Sequence, residues 1–332
     1  MIVVTGAAGF IGSVLVAHLN QLGRSDLLLV DVLGQDDRYR NLLGLKFADY
    51  LHKDDFLARI ENGGRSLPTI EALAHLGACS STLETDADYL MRNNFGYTRS
   101  LATWCAAQGV RFVYASSAAT YGDGSQGYTE SPETLDALRP LNKYGFSKHC
   151  FDLWARHHGL LDTIAGLKYF NVFGPNEYHK QDMRSVVLKA YQRVQSGQPV
   201  PLFKSYRPEY RDGHQERDFI YVKDAVAMTA WLLEHREANG IFNVGSGRPR
   251  TWLDLAHAVF AALGQPAQIR FIEMPAAMRA AYQYSTCAVM ERLAAAGCPI
   301  QSRSLEEGVR DYVHHHLQLL PPSTPDQLSF GD

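Results

Sequence analysis

The sequence predicts an α/β protein: a doubly wound parallel sheet with a second, smaller α/β lobe for substrate. Three observations carry that reading. Short β-rich runs alternate with longer helix-spaced runs through the first half of the chain. A glycine-rich turn, Gly6-Ala7-Ala8-Gly9-Phe10-Ile11-Gly12, stands between the first strand candidate and the first helical run. After Asn171 the alternation gives way to polar, aromatic-rich sequence punctuated by Gly and Pro.

Strands are expected at 2–5, 27–31, 70–75, 111–116 and 163–170, with helices at 10–22, 53–61 and 87–108 between the first four. Such βαβα order makes neighbouring strands parallel and covers both faces with helices, and right-handed crossovers wind the sheet in two directions. Further on, helices are expected at 183–196, 224–235 and 252–263, and strands at 217–223 and 240–244. The stretch 269–284 reads as irregular. The domain reading is a Rossmann-like nucleotide domain at 1–171, completed by 217–236, and a substrate lobe at 172–216 and 237–320. Residues 321–332, rich in turn formers, read as a disordered tail.

Of the 332 residues, 46% are hydrophobic and 20% charged, enough apolar material for a large core. A net charge of −3 with no Lys/Arg block argues against a nucleic-acid partner. No apolar run reaches the roughly 18 residues of a membrane span, and the first residues already read as a strand, so a cytoplasmic chain with no membrane partner is expected. The five cysteines are odd in number and lack CxxC spacing. They read as reduced, mostly buried thiols, not as a disulfide framework or a zinc site. The run His314-His315-His316 has no companion ligands and reads as a polar helix face, so no metal is expected.

The glycines of the first turn, Gly6, Gly9 and Gly12, let the backbone approach a pyrophosphate at a helix N-terminus. The spacing is GxxGxxG. Asp31 ends the second strand, where a carboxylate bonds the adenosine ribose. Alone it favours NAD, but Arg38, Arg40 and Lys53 follow and can accommodate a 2′-phosphate, which tilts the reading to NADP. Each of those cations is also a plausible solvated surface charge.

Tyr144 and Lys148 form a YxxxK pair, and i and i+4 share a helix face. The ammonium is expected to favour phenolate, lowering the tyrosine pKa, and to hold the nicotinamide ribose. The pair follows Ala115-Ser116-Ser117-Ala118-Ala119-Thr120-Tyr121-Gly122 at the end of the fourth strand candidate. Ser117 is the expected hydroxyl toward the substrate oxygen, with Ser116 as the alternative, whose ordinary role would be a strand-end cap.

With Gly77-Ala78-Cys79-Ser80-Ser81-Thr82, Lys168-Tyr169-Phe170-Asn171-Val172-Phe173-Gly174-Pro175, His179-Lys180 and Arg217-Asp218-Phe219, these motifs resemble the extended short-chain dehydrogenase/reductase family of nucleotide-sugar enzymes. Within it they are most similar to the branch that epimerises C6 of an ADP-linked heptose. The resemblance implies a tightly bound NADP, an ADP-heptose substrate, a homo-oligomer and a place in lipopolysaccharide core precursor synthesis. Besides the glycines and Asp31, it implies cofactor contacts from Phe10, Ile11, Val32, Arg38, Lys53, Leu76, Gly77, Ala78, Cys79, Ser80, Asn93, Tyr144, Lys148, Val172 and Lys180. It implies substrate contacts from Ser117, Asn171, Asp182, Lys189, Phe203, Lys204, Ser205, Tyr206, Arg217 and Tyr282. It makes Lys180 a second acid/base opposite Tyr144, beside Ser117 and Lys148. For Arg217 a guanidinium fork suits a diphosphate, and an ion pair with Asp218 or Glu216 is the ordinary alternative. The family commonly has Glu at position 76, Lys at 38, and Ser and His at 182 and 189, where this chain has Leu76, Arg38, Asp182 and Lys189.

Two other functions compete. One is a 4-epimerase or reductase of another nucleotide sugar; a dehydratase is disfavoured because Ser117-Ala118-Ala119-Thr120 carries no carboxylate. The other is a non-catalytic NADP-binding regulatory protein, against which the intact Ser117, Tyr144 and Lys148 argue.

Overall fold

The computed structural model describes residues 1–279 and 282–319; the tail expected at 321–332 lies outside them. The strands are β1 (Ile2–Thr5), β2 (Leu27–Asp31), β3 (Asp49–His52), β4 (Ala72–His75), β5 (Arg111–Ser117) and β6 (Ala165–Tyr169). They continue with β7 (Asn171–Phe173), β8 (Val200–Phe203), β9 (Glu216–Tyr221), β10 (Gly240–Val244), β11 (Pro249–Thr251) and β12 (Ile269–Ile272). Seven of them form one parallel sheet in the order β10-β6-β5-β4-β1-β2-β3.

Strand β1 shows why both faces must be covered. Ile2 stands opposite Leu27 on one side and Ala72 on the other. Alternate side chains point to opposite faces, so Ile2 and Val4 enter one core with Val14, Leu15 and Leu29. Val3 enters the other with Leu28, Leu73 and Phe56. The helices Phe10–Gln21 and Val222–Glu234 cover the first face, and Lys53–Glu61, Tyr97–Gln108 and Lys143–His157 the second. The winding reverses at β1, with β2 on one side and β4 on the other, which opens a crevice at the carboxyl ends of the strands.

The remaining strands form two small sheets, β11-β9-β7 and β12-β8. The expected lobe range is corrected at its start: Gly240–Val244 pairs with β6 and closes the edge of the large sheet. All five of its residues are buried, so it has no alternation to mark which sheet it joins. The stretch expected to be irregular contains β12, which pairs in parallel with β8. Strands β3, β7, β8 and β11 are absent from the expectation; at three or four residues each, they depend on their partners for order. The helical run over 87–108 contains a π-helical turn at Met91–Gly96. Of the five cysteines, all free, only Cys105 is buried, and the others are half-buried. Among the described residues no helix is long and apolar enough to cross a membrane, and no group of three or more His, Cys, Asp or Glu is placed to hold a metal.

Candidate active site

The ends of β1, β2 and β4 border a cleft of ≈ 530 Å³, the size of a small-molecule site. Every residue expected at the cofactor lines it except Tyr144, Lys148 and Val172. Gly6 has φ +67°, and a Cβ there would lie 2.7 Å from the Gly77 nitrogen; one on Gly12 would strike the Gly6 carbonyl. Only glycine lets the two turns meet at this distance. The helix that follows starts at Gly9 with no side-chain cap, leaving its first amides to the cleft. Asp31 accepts from the Ala8 and Val32 amides, each at 2.7 Å. Burial raises its pKa above the ordinary carboxylate value, and those amides partly offset the rise.

The three cations expected near a 2′-phosphate do not form one patch. Arg38 lines the cleft but forks onto Asp36 at 2.9 and 2.7 Å, which lowers the Asp36 pKa to about 2. Lys53 lines it and pairs with Asp54 at 2.7 Å. Arg40 is exposed, pairs with Asp37 at 3.3 Å and is not part of the cleft wall.

Asn142 caps the helix Lys143–His157, accepting from the Gly145 amide at 2.7 Å. At Gly145 a Cβ would sit 2.7 Å from the Ala119 carbonyl, so glycine lets this helix press on the turn after β5. The Tyr144 phenol hydrogen-bonds Ser117, whose Oγ also accepts from the Ala119 amide at 3.1 Å. Ser116, on the opposite face of the strand, instead donates to Asp152 at 2.7 Å. Strand alternation therefore puts Ser117, not Ser116, beside Tyr144.

One expectation about this pair is corrected. Burial raises the Tyr144 pKa above its ordinary value, and the Ser117 hydrogen bond only partly offsets it. The Lys148 ammonium donates to the Ala115 carbonyl at 2.8 Å. Burial lowers its pKa to about 8, with Asp152 pulling the other way.

Lys180 rides on the 3-10 turn Tyr178–Met183, its ammonium 5.5 Å from the centre of the Phe10 ring. It lines both the cleft and an adjoining cavity of ≈ 180 Å³ that also holds Asn171, Val172, Glu177 and Trp252. Burial lowers its pKa, and Glu177 raises it.

A third cluster forms from distant segments. Arg217 lies 5.1 Å from the Tyr282 ring and 5.6 Å from that of Trp252, whose indole donates to the Tyr282 hydroxyl at 3.0 Å. Phe203 meets Tyr282 edge-on at 6.3 Å. Lys204 and Tyr206 both bond Glu273, and the Ser205 amide is held by Asp212 at 2.8 Å. The ion pair considered for Arg217 is not the arrangement found. Its guanidinium donates to the Glu216 carbonyl at 2.7 Å, while the Asp218 carboxylate accepts from the Ser246, Gly247 and Ala288 amides. Asp182 is exposed, Lys189 donates to its carbonyl at 2.7 Å, and neither lines either cavity.

Three buried groups behind the site escape the sequence reading. Asn94, in the π-helical turn, accepts from the Cys79 amide at 2.9 Å and donates to the Cys79 carbonyl and to Ser147 Oγ, each at 3.0 Å. It ties the cleft wall to the helix of Tyr144. His75, stacked between Tyr97 and Phe112, bridges Thr5 at 2.7 Å and Thr98 at 2.8 Å. Burial holds it neutral, its pKa well below the ordinary value. Lys168 and Asp152, both fully buried, pair at 3.3 Å. Asp152 also accepts from Tyr114 and Ser116, and Lys168 donates to Thr120, whose hydroxyl holds the Ser117 carbonyl at 2.8 Å. The asparagine pair at 93–94 was a readable signal; the other two groups had none.

Residues 2–245 match the model of the NAD dependent epimerase/dehydratase family. The chain is 50% identical over 323 residues to the ADP-L-glycero-D-manno-heptose-6-epimerase of Nitratidesulfovibrio vulgaris strain DP4, covering 97% of this chain and 99% of that one. It is 45% identical to the enzyme of the same name from Fusobacterium nucleatum, covering 96% and 98%. Among solved structures, Helicobacter pylori ADP-L-glycero-D-manno-heptose-6-epimerase matches with a TM-score of 0.77 at 26% identity, covering 95% of each chain. Thermus thermophilus UDP-glucose 4-epimerase in complex with NAD matches with a TM-score of 0.74 at 26% identity, covering 96% and 99%.

Proposed function

We propose, from the premise that this chain belongs to the NAD dependent epimerase/dehydratase family, that it converts ADP-D-glycero-β-D-manno-heptose to ADP-L-glycero-β-D-manno-heptose. The observation that carries this reading is a pair of candidate proton-transfer groups on separate elements: Tyr144 beside Ser117 at the end of β5, and Lys180 on the turn after β7.

A nicotinamide dinucleotide fits the cleft. The glycine turn would offer backbone amides to its pyrophosphate, Asp31 would hold its adenosine ribose, and Tyr144 and Lys148, set behind the cleft wall at Ala115, would hold its nicotinamide ribose. Such a cofactor would supply a hydride acceptor for C6 and the same hydride for its return, so no net redox change would occur. We infer NADP over NAD because Arg38 and Lys53 border the cleft near Asp31, and a 2′-phosphate would compete with Asp36 for the Arg38 fork.

The residues of the chain handle the proton. Ser117 donates a hydrogen bond to the C6 oxygen, and Tyr144, which must first lose its own proton against the effect of its burial, takes the hydroxyl proton in one orientation of the sugar. Rotation about the C5–C6 bond turns the other face of the transient ketone to the cofactor. The Lys180 ammonium then supplies the proton to the oxygen on that side, and exchange with solvent returns a proton to Lys180 and removes one from Tyr144 before the next turnover. Burial, which lowers the Lys180 pKa, makes such an exchange easier near neutral pH. Phe203, Tyr206, Arg217 and Tyr282 hold the ADP portion, with Arg217 on its diphosphate.

Incubation with ADP-D-glycero-β-D-manno-heptose and no added cofactor, followed by NMR at C6, tests the reading. The L-glycero product should accumulate to equilibrium, and denatured protein should release NADP(H). An unchanged C6, or product that forms only with added NADPH, itself consumed stoichiometrically, overturns the epimerase; released NAD overturns the cofactor assignment alone.

A further inference from the structure

We infer that Asn41 and Asn176 are positioning residues for Lys180, docking the turn that carries it onto the glycine turn of the dinucleotide site. The inference rests on the reading of Lys180 as the second proton-transfer group.

Asn41 belongs to the 3-10 turn Asp37–Leu42, far from Lys180 in sequence. Its amide donates to the Ala8 carbonyl at 2.9 Å and to the Asn176 carbonyl at 3.1 Å, and it lies 3.4 Å from His179 Nδ1. Asn176 in turn donates to Ser13 Oγ, in the helix that follows the glycine turn, at 2.9 Å. Ala8 is itself held by the Asp31 carboxylate. A continuous chain of hydrogen bonds thus runs from the ribose-binding carboxylate to the residues flanking Lys180.

The backbone shows why such docking is needed. Asn176 has φ 75° and Gln181 φ 46°, both in the left-handed region that non-glycine residues avoid. Asparagine tolerates it; glutamine gains nothing there. A turn with this bias persists only where its surroundings over-determine it. On its far side the turn is held by Glu177, which accepts from Ser185 Oγ at 2.7 Å. On its near side the two asparagines are the anchors.

Single turnovers test this, read as reduction of the bound nicotinamide in holoenzyme given either the D-glycero or the L-glycero ADP-heptose. If Tyr144 serves one diastereomer and Lys180 the other, Lys180→Met abolishes reduction by one of them only. Asn41→Ala and Asn176→Gly, which keeps the left-handed backbone but removes the amide, should then slow that same diastereomer by roughly 10- to 100-fold. The other diastereomer and the NADP(H) content should stay unchanged. If Asn41→Ala fails to fold, Ser13→Ala removes the acceptor of Asn176 and should give the same one-sided loss. If Lys180→Met affects both diastereomers alike, the two-group reading fails and this inference with it. If Lys180→Met is one-sided but the asparagine variants slow both diastereomers equally, or neither, only the positioning role is overturned.

Discussion

Tyr144 stands on a helix of 15 residues, Lys143–His157, capped by Asn142 and tied underneath to buried hydrogen-bonding groups. Lys180 stands on a 3-10 turn of 6 residues with a left-handed position immediately after it. The first group owes its place to regular structure and to the buried Asp152–Lys168 pair behind β5. The second is flanked by side-chain hydrogen bonds from Asn41 and Asn176 to the glycine turn and the helix after it. One side of the crevice is therefore held by packing that is hard to disturb, and the other by contacts that single substitutions remove. A site that must serve two faces of one carbon can keep a rigid wall on one face and an adjustable group on the other.

The comparison breaks most sharply if the two groups are removed in turn. Tyr144→Phe and Lys180→Met should each lower steady-state epimerisation by roughly 10³-fold, within the range for loss of a general acid/base. Both proteins should stay folded by circular dichroism and keep their cofactor. Near wild-type epimerisation by Lys180→Met would leave Tyr144 as the sole proton-transfer residue.

A smaller effect separates the rigid side by pH. The Lys148 pKa is lowered from 10.5 to about 8, so its ammonium is lost as pH rises through about 8, and activity should fall there. Asp152 raises that pKa, so Asp152→Asn should move the alkaline limb to lower pH; an unmoved limb would detach Lys148 from it. Breaking the buried pair with Lys168 also costs about 3–5 kcal/mol, so the profile should be recorded well below the melting temperature. Stability responds with the opposite sign. Between about 8 and 10.5 the unfolded chain holds the Lys148 proton and the folded one does not. The contribution of this group to stability therefore grows as pH rises across that window, and is constant below about 8, where both states hold the proton.

The smallest effect concerns the adjustable side. Gln181→Gly relieves a left-handed glutamine but gives the unfolded chain more freedom, so the two terms nearly cancel. A net gain of up to about 1 kcal/mol is expected, seen as a rise of a few degrees at most in Tm. A loss of stability would mean that the Gln181 side chain makes contacts worth more than the backbone strain.

How much of this was legible in the sequence follows the same division. The glycine turn and the Tyr144–Lys148 pair are local patterns, readable because their residues lie within a few positions of one another, and Asp31 was readable as the end of the next strand. The parallel sheet was readable for a related reason, since β1, β3, β4 and β5 are each followed by a helical run. Strand β10 was assigned to the wrong body because a fully buried strand has no alternation to say which sheet it joins. Lys168 and Asp152 lie on a strand and a helix with no local pattern linking them; only the fold brings them within 3.3 Å with neither exposed. The upward shift of the Tyr144 pKa was missed because i,i+4 spacing shows which side chains share a face and not how deeply the phenol is buried. Asn41 and Asn176 gave no signal, being 135 positions apart.

Strand β10 also bears on how the chain is made. Its partner β6 ends at Tyr169, and β10 ends at Val244, with β7, β8 and β9 translated between them. During synthesis the outer edge of β6 must wait for roughly 70 residues, on the order of 4–15 s at about 5–20 residues per second. An unpaired apolar strand edge is a template for pairing with another chain. Nascent chains on one messenger, each with this edge open, are therefore most at risk of sticking to one another in that interval. A chaperone that shields the stretch until Gly240–Val244 emerges would raise the yield of folded protein without touching the finished enzyme.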